Sequence, residues 1–524
     1  MREYRMEGKH PCLYFVSSKG RSWIPAKTLF VFAPDSEAGT EDSLRKFAHG
    51  SGWADAAEED GAVLILPLAQ RGWAGEDPSM LKDMYRSVWK STWVEDPEEI
   101  FKNVWCWETL IFAAGYAEGA RFAGQAAVAE PNLFADAAMV NGKPDCFDAG
   151  DDVTDRWLVP DASEDWKPRN REIPGAVWFL KEEGADTAEA EEYFRAKASD
   201  PDQVKVSCGS FGPDSATTAL IMDEFATRIR WKNSPDGTPA RLMTERQVRT
   251  GGEYIPASVT WKGEEYNYYT RLPKGVTDAG GMPVVFCMHG HGEPAWMFAQ
   301  KNGWPELQDE TGAFVFVSPD SPENSWTIKR DAGAIPLMLD ALERDWGIDR
   351  ERIYLTGFSN GSMATCWYGT LFPERFAAIS PWNSPVLCYE TRLIEGGWEM
   401  PLFSVNGDRD HKMDLPRKFY PELFSNWIKV NGGGEPEEDA SCPVSWRPDE
   451  VWSGADRYAP ESGYAQGDRM HTYVFLGGNG LPMTCYTEMK DMPHGAIADE
   501  ARAAWEFMKH FSRPEGGRKV SCDL

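Results

Sequence analysis

RIYLTGFSNGSMA (residues 352–364) decides what kind of fold this chain can adopt. Ile353, Tyr354 and Leu355 form a short apolar run of the kind a buried strand needs. Gly357 and Gly361 then flank Ser359 in a G-x-S-x-G pattern, and a helical stretch follows. A serine on a sharp strand-to-helix turn has its hydroxyl pushed clear at the sheet's edge, and the tight backbone leaves room only for glycine on either side. A helix starting at Asn360 adds free N–H groups and the positive end of its dipole beside that hydroxyl. The pattern alone is weak. Its strand-turn-helix setting makes Ser359 a candidate nucleophile.

Outward from this turn, apolar strands alternate with helical stretches from about Tyr254 onward, which predicts a largely parallel sheet with helices on both faces. ASVTWKG (257–263) and EYNYYTRL (265–272) read as an opening antiparallel pair. MPVVFCMH (282–289) and GAFVFVSP (312–319) are continuous apolar runs suited to central strands covered on both sides. AIPLMLDALERDWG (334–347) is amphipathic, PLFSV (401–405) is a further strand, and HTYVFLGGNGLPMTCYTEM (471–489) reads as two strands around a Gly-Asn-Gly turn. AIADEARAAWEFMKHF (496–511) is an amphipathic closing helix.

The amino-terminal half repeats this plan. TLFVFAPDSEAG (28–39) parallels VVFCMHGHGEPA (284–295), and residues 51–73 parallel 302–326. LIFAAGYAEGARFAGQAAVAEPNLFADAAMVNG (110–142) matches IYLTGFSNGSMATCWYGTLFPERFAAISPWNS (353–384) in strand, glycine-flanked turn, helix, proline and next strand. Coincidence over three successive segments argues for an internal duplication. The polar, Gly/Pro-containing region at 232–252 marks the boundary, so two tandem domains are expected, 1–235 and 236–524.

A serine hydroxyl needs a base within hydrogen-bond reach, and the base needs a carboxylate to fix its tautomer. On a sheet of this type the acid follows a later strand and the histidine precedes the last helix. His494, in DMPHGA, stands between the final strand and the closing helix, where the base belongs. His510 falls inside that helix and His471 begins a strand, so structural roles are expected for both. After PLFSV comes the turn holding Asp408 and Asp410; either could face the histidine, and turn geometry favours Asp410. The oxyanion donors are expected to be the backbone N–H of Asn360 and that of His291, in the loop His289-Gly290-His291-Gly292. No metal-ligand spacing occurs around these histidines. Trp296 and Trp326, on loops at strand ends that face the site, are candidate pocket walls. Trp427, Trp446, Trp452 and Tyr464 are candidates for a rim, against ordinary loop packing.

VVFCMHGHGE (284–293), GIDRERIYLTGFSNGSMA (347–364), the NGDRD turn and MPHG (492–495) together resemble the polyhydroxybutyrate depolymerase and feruloyl esterase group of α/β-hydrolases. The similarity covers roughly residues 255 to 512. It implies Ser359 as nucleophile, Asp410 as acid, His494 as base and the loop at His291 as oxyanion donor. That group often carries a Trp-Pro pair just after the histidine, where this chain has Gly495-Ala496-Ile497. The amino-terminal copy departs further. Ala117 stands where Ser359 stands, and SFGPDSATTALIMDEF (210–225), which matches the histidine segment, contains no histidine. Alanine has no nucleophilic atom, so a catalytically dead, degenerate hydrolase-like domain is expected there, with Glu118 a remote substitute.

Composition sets the outer limits. With 524 residues, 42% of them hydrophobic, the chain is too long for one ordinary domain. A formal charge of -29 repels nucleic-acid phosphates and anionic membranes, so neither is an expected partner. The ten cysteines are scattered without a CxxC pair, and the start MREYRMEGKHPCLYF lacks the features of a secretory signal, so a cytoplasmic protein with reduced thiols is expected. The combined expectation is a cofactor-independent serine esterase acting on a small or aromatic ester, with homo-oligomer formation left open. Acyl transfer or peptide cleavage would use the same three residues, and a scaffold that has lost activity in both halves is the rival from another class.

Overall fold

The computed structural model describes residues 1–6, 9–19, 25–85, 104–149, 170–230, 238–408, 410, 417–453, 470–490, 492 and 494–523. The contacts divide the chain into two compact units, Met1–Leu242 and Met243–Leu524. The division falls after Leu242 rather than at 235, because Pro239–Arg241 pairs back on Arg228–Arg230. These two short strands are β10 and β9.

The first unit is built on β1 (Arg2–Met6), β2 (Cys12–Val16), β3 (Pro25–Phe32), β4 (Val63–Pro67), β5 (Trp105–Tyr116), β6 (Asp136–Val140), β7 (Val177–Lys181) and β8 (Val204–Cys208). They form one sheet in the order β1-β2-β4-β3-β5-β6-β7-β8. β1 and β2 are antiparallel to their neighbours, and every later pairing is parallel. VLILP in β4 is buried at every position, as a strand covered on both faces must be.

The second unit holds β11 (Ile255–Trp261), β12 (Glu264–Arg271), β13 (Val284–Met288), β14 (Val315–Pro319), β15 (Ile353–Phe358), β16 (Ala378–Trp382), β17 (Leu402–Gly407), β18 (Glu450–Ser453), β19 (Met470–Leu476) and β20 (Pro482–Met489). Its order is β11-β12-β14-β13-β15-β16-β17-β20-β19-β18. Apart from the added antiparallel strands β19 and β18, this is the strand order of the first unit, with the same antiparallel pair at one edge. Side chains alternate across the sheet. Val285 and Cys287 of β13 enter one core with Phe507 and Met508 of the closing helix Ala498–Met508, while Val284, Phe286 and Met288 enter the other with Ile335, Met338 and Leu339 of the helix Ala334–Trp346.

The fold is therefore two tandem α/β-hydrolase-like domains, each a mostly parallel sheet with helices on both faces. Local details recur in both. Arg230 is buried and donates to the carbonyls of Phe134 and Pro174; Arg513 is buried and donates to those of Phe376 and Glu399. Each guanidinium serves strand-end carbonyls that would otherwise be buried without a donor. Among the described residues no helix is long and apolar enough to cross a membrane.

Candidate active site

β15 ends at Phe358 and the helix Asn360–Leu371 begins two residues on, so Ser359 takes the whole change of direction, at φ 56° and ψ -116°. For a non-glycine residue this conformation costs about 1–3 kcal/mol, which the surrounding packing must hold in place. The flanking glycines show how tight that packing is. A Cβ on Gly357 would lie 2.5 Å from the Gly361 carbonyl oxygen, and one on Gly361 would lie 2.2 Å from that of Met288. Only glycine lets the helix press against β13 and β15.

His494 Nε2 lies 2.9 Å from Ser359 Oγ, and His494 Nδ1 lies 2.6 Å from Asp410 Oδ2. With Nδ1 protonated and donating to the buried Asp410, Nε2 is left as an acceptor for the serine hydroxyl. The Phe358 ring lies against the imidazole, centroids 4.8 Å apart. Of the two aspartates in the turn, Asp410 is the one that meets the histidine. Asp408 Oδ1 instead accepts from the Met492 N–H at 3.3 Å, and Arg417 donates to the carbonyls of Asp408 and Gly407.

The loop after β13 passes close to the serine: a Cβ on Gly290 would lie 3.5 Å from that of Ser359. It is fastened from below by residues 321–326. Gly292 N–H donates to Asn324 O at 2.6 Å, and His291 Nδ1 lies 2.9 Å from Ser325 Oγ. The Asn360 side chain grips the backbone of Trp326 on both sides, accepting from its N–H at 2.6 Å and donating to its carbonyl at 3.2 Å. Burial pushes His289 down to about 4, so it is neutral; its Nδ1 donates to Gly290 O and its Nε2 accepts from the Ser321 N–H. It braces the loop. Burial also lowers His291, which is half-buried.

Trp326, expected as a pocket wall, is instead a core residue. It is 1% exposed, its Nε1 donates to His289 O, and its ring packs on His289 and Tyr368. Position at a strand end placed it near the site, but its indole turned inward where its N–H has a partner. Trp296, on the short helix Ala295–Phe298, is half-buried against the core. Of the rim candidates, Trp427 is fully buried, Trp446 donates to Pro421 O, Trp452 donates to Glu450, and Tyr464 lies outside the described residues.

Sequence reasoning passed over Asn383, which follows β16 with φ 61°. A signal was present: Asn141 holds the matching place in the first unit, also at positive φ (55°). The elbow is duplicated as well. Ala117 has φ 52° and ψ -114°, within a few degrees of Ser359. A Cβ on Gly119 would lie 2.3 Å from Phe32 O, the counterpart of the Gly361 contact. The Asp35 N–H, at the place of His291, faces Glu118 Oε2 at 3.4 Å. The backbone form persists there without the reacting atom.

Behind the loop that follows β13, burial pushes the Asp320 carboxyl up to about 7, against backbone donation from Ala295 and the pull of Arg249, with Glu245 adding to the rise. In the unfolded chain the same group titrates near 4, so between about pH 4 and 7 the folded state keeps a proton that the unfolded state releases, and stability falls as pH rises through that window. Asp320→Asn keeps the acceptor for Ala295 and removes the titration. Its stabilising effect is expected to be larger at pH 8 than at pH 5, by about 2–3 kcal/mol in urea unfolding. An equal effect at both pH values would show that Asp320 is ionised normally.

No protein-family model matches the chain. Over 244 residues it is 26% identical to the bifunctional acetylxylan esterase/xylanase XynS20E of Neocallimastix patriciarum, a match covering 38% of this chain. The chain spans 36% of the length of that curated relative. Among solved structures it is similar to the acetyl xylan esterase from Aspergillus awamori, with TM-score 0.37 and 17% identity over 48% of this chain and 99% of that one. It is also similar to Est1E from Butyrivibrio proteoclasticus, with TM-score 0.26 and 15% identity over 33% of this chain and 84% of that one.

Proposed function

We propose that the second unit is a carboxylic-ester hydrolase that works through an acyl-enzyme on Ser359. The observation that carries this reading is the relay of two hydrogen bonds from Ser359 Oγ through His494 to Asp410, on a turn whose strained backbone presents the hydroxyl. His494 Nε2 takes the serine proton as Oγ attacks the ester carbonyl, and Asp410 stabilises the imidazolium that forms. The N–H groups of Asn360 and His291 are the proposed oxyanion donors; both segments are tied to residues 321–326, so they need not reorganise as charge develops. His494 then returns the proton to the leaving alcohol, activates water on the emptied face, and the acid departs.

The substrate class we favour is a small or aromatic ester, with Trp296 on one wall. The name of the curated relative makes acetyl esters of a polysaccharide the first to try. The first unit, with Ala117 at its elbow, we read as a non-catalytic copy. A fluorophosphonate probe followed by peptide mapping tests the proposal. Labelling is expected at Ser359 in the wild-type protein and is expected to vanish in Ser359→Ala. Folded wild-type protein that takes no label would defeat the esterase reading and bring the scaffold reading forward.

A further inference from the structure

The three groups of the relay lie on separate stretches of chain, and among the described residues the buried side chain of Asn383 joins two of those stretches, beside the bond from Met492 N–H to Asp408. Asn383 is 0% exposed and stands just past β16, between the nucleophile strand β15 and the acid strand β17. Its main-chain N–H donates to Val405 O at 2.7 Å, which seats it on β17. Its Oδ1 accepts from the N–H of Gly407 at 2.8 Å, at the root of the turn that carries Asp410. Its Nδ2 donates to the carbonyl of Gly495, the residue after His494, and lies 3.4 Å from Glu500 Oε1. Glu500 in turn accepts from the Ile497 N–H at the start of the closing helix. One amide thus spans from the acid turn to the base loop.

A short amide side chain suits this place. The amide offers a donor and an acceptor on one planar group, and asparagine tolerates the φ of 61° that aims it between the two loops. Aspartate would keep an acceptor for Gly407 but lose the donor for Gly495 and set a charge near Glu500. Glycine would keep the backbone conformation and lose both bonds.

We infer that Asn383 is a positioning residue for the proposed reaction: it sets the separation of Asp410 and His494, and so the alignment of Nδ1–H with the carboxylate. It touches no reacting atom. Its side chain acts on Ser359 through the imidazole, while the Trp382 carbonyl just before it accepts from the Ser359 N–H at 3.0 Å. The inference rests on the serine-hydrolase reading above.

The test uses the full chain with 4-nitrophenyl acetate as substrate and fluorophosphonate titration to count active sites. In Asn383→Gly, kcat per titrated site is expected to fall about 10²-fold, the cost of misplacing a catalytic group by about an ångström, with KM within about twofold. The acid limb of kcat/KM against pH is expected to move to lower pH, because a misaligned imidazolium loses the stabilisation Asp410 provides. A residue that merely holds the fold would lower the melting temperature and the number of titratable sites, leaving the limb and kcat per site in place. That outcome would overturn the inference. Should Asn383→Gly not fold, Asn383→Ser, which is neutral and too short to reach both loops, is read in the same way, with the same two readouts deciding. Wild-type protein that neither labels nor turns over ester would overturn the serine-hydrolase reading and this inference with it. Normal turnover in both wild type and variant overturns the inference alone.

Discussion

His494→Ala is expected to lower kcat for ester hydrolysis by on the order of 10⁶, about 8 kcal/mol of transition-state stabilisation. The size follows from what the imidazole does in the structure. Its Nε2 is 2.9 Å from the serine oxygen, near enough to remove the proton in the step that forms the tetrahedral intermediate. Its Nδ1 is spoken for by Asp410, so its tautomer and orientation are already set before substrate arrives. Without it, attack would fall to a neutral hydroxyl. The proposed oxyanion donors and substrate binding would remain, so a small residual rate over water is expected rather than none. Measuring kcat and fluorophosphonate labelling on the same preparation checks this. A loss smaller than tenfold would mean that the base is another group.

The second large effect separates the two aspartates of the NGDRD turn. Asp410→Asn is expected to cost about 10⁴ in kcat, because an amide facing Nδ1 offers its own N–H as readily as its oxygen and can hold the imidazole in the unproductive tautomer. Asp408→Asn is expected to stay within about threefold of wild type. Its Oδ1 accepts a main-chain N–H from Met492 at 3.3 Å, and an amide oxygen accepts the same bond. The comparison is internal, since both residues sit in one turn and both changes preserve volume. Equal losses in the two variants would show that the turn as a whole is fragile and would remove the special role given to Asp410.

Much of the fold is legible in the sequence, and for particular reasons. Runs such as residues 284–288 and 315–319 are mostly apolar and short, which suits strands covered on both faces, and every position in them is buried. The antiparallel pair before them is read from residues 257–263 and 265–272, and a turn in which Lys262 and Gly263 both adopt positive φ closes it. The repeated plan is visible because each half carries the glycines that its elbow needs. The site was less evenly legible. The serine and histidine were marked by their place between strand and helix. The choice between Asp408 and Asp410 was left to turn geometry, since two residues of the same type differed only in where the backbone sends them. Trp326 was misread because proximity to a strand end does not say which way a side chain faces.

The elbow at Ser359, its echo at Ala117, the alternation of strands and helices and the two-domain plan are determined by the sequence itself. Each depends on neighbours a few residues away: apolar periodicity, the absence of Cβ atoms at flanking glycines, and a helix that must start where the strand stops. What only the tertiary structure decided is how distant residues meet. His494 and Asp410 are 84 residues apart in the chain, His494 and Ser359 are 135 apart, and Asn383 reaches Gly495 across 112. Contacts of that kind leave no period in the sequence, because they are set by the order in which parallel strands assemble and by side-chain directions within the assembled core. The burial of Trp326 and the bridge made by Asn383 belong to that second class.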